Sequence, residues 1–305
     1  MRHITSRLLQ AAIAAFGVVT LVFFVMHLSG DPTLLLVPEG ATAEQIAQLR
    51  HLLGFDRSIT VQYLAYLGDL ARGDLGQSFV QRAPVSLIVG SRLPYTLALA
   101  GGALLVSLVV GIPAGIAMAV WRGGVVEHAL AALVLAGQSL PTFWSGILMI
   151  LLFGVELRWL PTSGADGPAS LIMPSVALGA LAMSTFARMT RISVLDELSR
   201  DYVNAARARG LSMAAVVGRH VLRNAAIPVI TVVALEVGNL LAGAVIVETV
   251  FAWPGIGQLA IQSIQSRDFL VVQAIVLFVS LSYIALNLLA DLTYTLVDPR
   301  IRGAA

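Results

Sequence analysis

Few side chains in this sequence have chemistry to offer, and they stand far apart. Ser139, in the run Gly137 to Leu140 (GQSL), has the type of an intramembrane nucleophile. A serine in that role needs a base within hydrogen-bond reach, most often histidine. The five histidines are His3, His27, His51, His128 and His220, and none is well placed beside it. The simpler reading is that Ser139 and Thr142 hydrogen-bond carbonyls freed where Pro141 kinks a helix. The sequence contains no H-E-x-x-H, and its histidines are too scattered to suggest a metal cluster.

The carboxylates set within apolar runs are Glu236, Glu248 and Asp291. A proton-coupled carrier would aim such groups into a cavity. A polar helix contact, or a subunit interface lined with Asn239 and Asn287, explains them without transport chemistry. Neither inverted repeats nor paired broken spans are evident, which counts against the carrier. All 19 basic residues are arginine, so a phosphate-binding loop ending in Gly-Lys-Ser/Thr is impossible and the chain does not bind ATP that way. The absence of cysteine removes thiol nucleophiles, thiolate metal sites and disulfides.

The elements that must position these residues follow from composition. Charged residues make up 12% of the 305 and hydrophobic ones 58%, against roughly 25% charged in soluble domains. The apolar residues fall in six blocks, near 8–29, 93–120, 128–154, 172–192, 226–248 and 271–296. Each is long enough to cross about 30 Å of hydrocarbon as a helix. The period-two alternation of a membrane barrel is absent. The expected fold class is therefore all-α, a polytopic membrane protein with six transmembrane helices. The first block exceeds the core of a cleavable signal and is followed by HLSGDP, with no small-x-small site, so it reads as an uncleaved span.

Arginine placement gives the orientation, because short cytoplasmic loops collect positive charge. With the N-terminus inside, twelve arginines fall in short inner segments, and only Arg158 and Arg267 fall in short outer loops. Both termini are then cytoplasmic. The expected organisation is a cytoplasmic N-terminus and first span over 1–29, an extracytoplasmic loop over 30–92, a five-span core over 93–296 and a cytoplasmic tail over 297–305. Within the outer loop, a capping box from Thr42 to Gln45 opens a short helix that stops at Gly54. A second stripe, Val61, Leu64, Leu67 and Leu70, follows at helical spacing. These two amphipathic helices suit the membrane surface, the mouth of a path or an external partner equally.

Residues 201–228, DYVNAARARGLSMAAVVGRHVLRNAAIP, break the apolar character with four arginines and no acid after Asp201. The stretch AARARGLS resembles the A-A-x-x-x-G core of the cytoplasmic loop in membrane subunits of binding-protein-dependent, ATP-driven importers. The likeness extends over nearly the whole chain, in order: GDP (Gly30 to Pro32), LGFD (Leu53 to Asp56), RGDLGQS (Arg72 to Ser78), RLPYTLAL (Arg92 to Leu99), GQSLPTFW (Gly137 to Trp144) and LPTSG (Leu160 to Gly164). It continues with RHVLRNAAIP (Arg219 to Pro228), VETVFAWPGIG (Val247 to Gly257) and DPRI (Asp298 to Ile301). Together these are similar to the oligopeptide, dipeptide and nickel branch of such permeases.

The resemblance implies a type I ABC importer permease fold in a bacterial plasma (inner) membrane, importing a peptide-like solute, or nickel or another small solute. It implies a sibling permease related by a pseudo-twofold axis, cytoplasmic ATPase subunits that use ATP and Mg, and an extracytoplasmic substrate-binding protein. This chain itself is expected to hold no cofactor and to carry no catalysis. The docking loop would span about 193–225 and use Asn204, Ala205, Ala206, Arg207, Arg209, Gly210, Arg219 and Arg223. Asn204 stands where the wider family often has Glu. Small alanines suit a short stiff helix, and Gly210 suits its left-handed stop. The arginines suit anionic headgroups of membrane lipids or acids on a docked subunit, while charge retention on the inner side accounts for any one of them equally well. No nucleic-acid partner is expected.

Overall fold

The computed structural model describes residues 2–28, 42–78 and 80–297. The GDP and DPRI motifs and the tail beyond Val297 lie outside these, as does the side chain of Asp291. The helices are α1 (Arg2–Leu28), α2 (Ala43–Leu53), α3 (Ile59–Ala71), α4 (Val85–Val120), α5 (Val125–Ser139), α6 (Thr142–Met149), α7 (Pro168–Leu198) and α8 (Asp201–Ala208). They continue with α9 (Met213–Val216), α10 (Leu222–Val250), α11 (Ile256–Gln265) and α12 (Phe269–Val297). A π-helical stretch, Ile150–Glu156, extends α6, and another, Val217–Val221, joins α9 to α10. Apart from one bridge between Gln77 and Pro84, the regular structure of the described residues is helical.

Five helices are long and apolar enough to cross a membrane, and α5 with α6 makes a sixth crossing bent by 106°. The kink expected at Pro141 in the third span is here a full break. Pro141 lacks the N–H that a continuous helix would use and drives the preceding residue out of helical geometry. Leu140 accordingly sits at φ −88°, ψ 128°. The expected capping of freed carbonyls also differs. Ser139 Oγ donates to Leu135 O at 2.8 Å, one turn back, rather than to the Gly137 carbonyl that Pro141 leaves unpaired.

The bent pair traverses the bundle instead of turning back. At one end Glu127 is joined to Arg191, near the C-terminus of α7. At the other, Gly146 lies against Phe251 and the following loop donates Gly164 N–H to Phe251 O at 3.0 Å, at the C-terminus of α10. The end of α7 stands beside the start of α10, where Asn224 Nδ2 donates to Glu197 Oε2 at 3.2 Å, so the C-termini of the two helices lie at opposite faces of the membrane.

The core is a seam of small residues. A Cβ on Gly111 would fall 2.7 Å from Met183 O, one on Gly115 2.5 Å from Ala187 O, and one on Gly179 2.7 Å from Ala103 O. These contacts advance together, so α4 and α7 run parallel with their backbones nearly touching. Ser107 Oγ bridges the same seam to Gly179 O at 2.8 Å. Close approach of this kind is how membrane helices gain packing without a hydrophobic drive between them. Leu99, Met173, Leu178, Phe186, Leu240 and Val247 fill the space where α10 closes over the pair.

The two short helices after α1 form as the sequence implies: Thr42 makes a full capping box with Gln45, and Gly54 ends α2 at φ 73°. The face used by α3 differs from the leucine stripe. Tyr63 and Tyr66 pack their rings on Phe23 of α1, with centroids 5.2 and 5.5 Å away, and the Tyr63 hydroxyl meets Thr20 Oγ1 at 2.6 Å. Val61 and Leu64 remain exposed. Aromatic bulk with a polar tip suits a contact at the edge of the bilayer better than leucine does. Helix α4 begins at Val85, eight residues before its apolar block, because Val85, Ile88 and Val89 are buried against α11 and α12.

Candidate functional site

The basic stretch between the fourth and fifth spans folds as a compact platform. Helix α8 turns Val203 and Ala206 inward, onto Ala119 of α4, Val194 of α7 and Val216, Val221 and Ala225 of the following segment. Asn204, Ala205, Arg207, Arg209, Gly210, Arg219 and Arg223 are exposed. The platform therefore divides the predicted residues: seven form an outer surface, and Ala206, 9% exposed, holds that surface to the bundle.

The stop of α8 is a Schellman turn. Gly210 N–H donates to Arg207 O at 2.9 Å and Leu211 N–H to Ala206 O at 3.3 Å, with Gly210 at φ 85°. That pattern satisfies the last carbonyls of a helix and asks for a residue that tolerates left-handed geometry. No atom lies within 4 Å of where a Cβ on Gly210 would stand, so backbone conformation alone demands glycine. Ser212 then caps α9, its Oγ accepting from Ala215 N at 3.3 Å.

Glu197 ties the platform to the spans. Its Oε2 accepts from Tyr202 Oη at 2.7 Å and from Asn224 Nδ2 at 3.2 Å, joining α7, α8 and α10. Burial, and then the adjoining Glu197 carboxylate, push the Tyr202 phenol above its ordinary value. Nearby, Glu127 accepts Arg191 Nε at 2.9 Å as well as Arg191 Nη2, and its other oxygen takes the Gly123 N–H. Sequence reasoning missed both carboxylates, because each sits at a helix end where an acid reads as ordinary surface.

At the opposite end of the bundle, Glu248 is fully buried. Its carboxylate accepts from Thr96 Oγ1 at 2.6 Å, from Gln258 N at 3.0 Å and from the Gly257 N–H, so it caps α11 from a neighbouring helix. The VETVFAWPGIG motif is thus a packed turn. Phe251 and Trp253 are buried, and Trp253 Nε1 donates to Tyr95 O at 2.9 Å. Of the two readings given to Glu248, the polar helix contact is the one realised. Glu236 differs: it is half-buried and accepts from Asn239 Nδ2 at 3.2 Å. Ser139 has no catalytic setting. His128, on the same helix, lies eleven residues away, roughly 16 Å along the axis, with Nδ1 held at Gly124 O.

A six-crossing bundle with a capped platform between its fourth and fifth spans has known counterparts. Residues 111–303 match the family described as binding-protein-dependent transport system inner membrane component, and residues 1–100 match the N-terminal part of such membrane components. The chain belongs to this family. It is 42% identical over 303 residues, 99% of each chain, to the glutathione transport system permease protein GsiC of Salmonella typhimurium strain LT2. It is 41% identical over the same span to GsiC of Escherichia coli K12. Among solved structures it resembles the MetNI methionine ABC transporter in an inward-facing form, at 20% identity and TM-score 0.54, over 70% of this chain and 97% of that one. An amino acid ABC transporter with histidines matches at 17% identity and TM-score 0.54, over 69% and 94%. At those identities the structures speak for the fold, a type I importer permease.

This permease is accordingly a multi-pass inner-membrane protein and the non-catalytic membrane subunit of an ATP-driven importer. Three of its acids read as joints of the fold. Glu127, Glu197 and Glu248 each tie together segments that a membrane subunit must keep in register.

Proposed function

We propose that this permease imports peptide-like solutes, forming one half of the path with a sibling permease and receiving solute from an extracytoplasmic binding protein. Full-length identity of 42% to a glutathione system permease carries the reading, because glutathione is itself a tripeptide. ATPase subunits, with ATP and Mg, dock on the exposed face of the platform: Asn204, Ala205, Arg207, Arg209, Gly210, Arg219 and Arg223. Ala206 positions that face without touching the docked subunit. The docking loop, about 193–225, and both termini are cytoplasmic, and residues 30–92 are extracytoplasmic.

Three features support docking there. Alanine keeps the surface of α8 low, Gly210 fixes where it ends, and exposed guanidinium groups offer charge to acidic partners. The Glu197 joint to α7 and α10 passes any displacement of α8 directly into two spans. The test is reconstitution in liposomes. The chain alone should neither hydrolyse ATP nor accumulate S-methylglutathione, a thiol-free tripeptide. Addition of a sibling permease, ATPases and binding protein should bring both activities. Uphill uptake by the lone chain under an imposed proton gradient would replace this reading with a carrier.

A further inference from the structure

Midway along its length, α10 carries a polar pair, Glu236 and Asn239, that the fold does not consume. Glu236 is the middle residue of α10 and Tyr283 the middle residue of α12. The two helices touch on the side of Gly238, where a Cβ would lie 3.0 Å from Tyr283 Cε2, and Glu236, two positions earlier, points to a different side of α10. Asn239 is exposed, Glu236 half-buried and Tyr283 45% exposed. Asn287, one turn beyond Tyr283, is half-buried.

Two other acids within the crossing helices set the comparison. Glu127 is neutralised by Arg191 and the Gly123 N–H. Glu248 is buried among a hydroxyl and two backbone N–H groups. Glu236 takes one hydrogen bond, from the amide of Asn239, which orients its carboxylate and leaves it room for further donors. A carboxylate at mid-membrane depth is costly against lipid tails and is found facing a partner or a water-filled cavity. The exposed Asn239 amide beside it enlarges the same cost.

We propose that the α10 face bearing Glu236 and Asn239 lines the hydrated solute path halfway across the membrane, with the Glu236 carboxylate as a subsite for the solute's ammonium group. The ammonium part rests on the peptide-importer reading above. Carboxylate and amide together match the donors of a primary ammonium, which has three N–H groups to place.

The cysteine-free chain supplies the test. In the complete importer, reconstituted with its sibling, ATPases and binding protein, Leu235→Cys and Asn239→Cys, exposed one turn apart on α10, serve as separate reporters. Ile13→Cys, exposed near the middle of α1, is the lipid-facing control. A cationic methanethiosulfonate should modify each reporter at least about tenfold faster than the control, because thiolate forms only in contact with water. Adding Glu236→Gln should lower the ratio of cationic to anionic reagent rates by about fivefold or more, as expected for one charge within several ångströms in a hydrated space. Reporters as slow as Ile13→Cys would place this face against lipid or in a dry subunit contact and overturn the proposal. Fast labelling with an unchanged charge ratio would overturn the ammonium subsite. ATP-driven uptake of S-methylglutathione by the complex without reporters tests the importer reading separately.

Discussion

The Thr96 hydroxyl stands between two elements: it donates to Glu248 Oε1 at 2.6 Å and accepts the Ile256 N–H at 2.8 Å. One side chain of α4 therefore fixes both the acid at the end of α10 and the first turn of α11. A Cβ on Gly255 would lie 2.2 Å from that same Glu248 oxygen, so the turn closes only without one.

Breaking this joint should destabilise the protein. A buried donor or acceptor left without its partner costs about 1–3 kcal/mol. Thr96→Val takes one donor from Glu248 and leaves the Ile256 N–H without its acceptor, whereas Glu248→Ala strands the hydroxyl and two N–H groups and should cost more. The double substitution should cost less than the sum, because the two side chains share a bond. Melting temperatures of the purified permease in detergent check this, and strictly additive shifts would show that the two residues act independently.

The α4–α7 seam predicts which glycines tolerate a methyl group. Gly115→Ala and Gly179→Ala would press a Cβ onto backbone oxygens of the facing helix, which cannot rotate away as a side chain does. Folded abundance should fall by several-fold for each. Gly101→Ala meets open space and gains helix propensity of roughly 1 kcal/mol, so its abundance should hold or rise. Size-exclusion profiles of fluorescent fusions separate the cases.

At the platform, substitution should divide coupling from folding. Gly210→Ala has room for its methyl but must keep φ near 85°, at a cost of about 1–2 kcal/mol. It should insert normally and lower receptor-stimulated ATP hydrolysis, and Gly210→Val should lower it further. Gly218→Ala, with open space, should leave hydrolysis unchanged. Arg207→Glu, on the exposed face, should weaken ATPase co-purification at normal abundance, whereas Ala206→Glu puts a charge into the packed cluster and should reduce abundance itself. Normal hydrolysis in Gly210→Val and normal co-purification in Arg207→Glu would reduce the platform to a topological anchor.

Orientation is open to direct labelling because there is no native cysteine. Ser163 and Met213 are both exposed, on opposite faces of the bundle. An impermeant maleimide added outside intact cells should modify Ser163→Cys and spare Met213→Cys. The reverse pattern would turn the permease over and remove the platform from the cytoplasm.

By itself the sequence determined what is local or compositional. Apolar blocks of bilayer length have little alternative to helices, because hydrocarbon offers backbone groups no other partner. The capping box at Thr42 and the glycine stops at Gly54 and Gly210 are set by residues within one turn of each other. Tertiary structure decided what depends on distant partners. Pro141 announced a disturbance, but only packing between α7 and α10 decided that the chain breaks there and still crosses. Val61 and Leu64 form as regular a stripe as any in the sequence, yet Tyr63 and Tyr66 meet α1, because the facing residues were Thr20 and Phe23. Glu248 and Glu236 read alike in one apolar run. The first is enclosed by Thr96, 152 positions away, whereas the second is half-buried and bonded to Asn239 on its own helix, so what separates them is a partner far off in the chain.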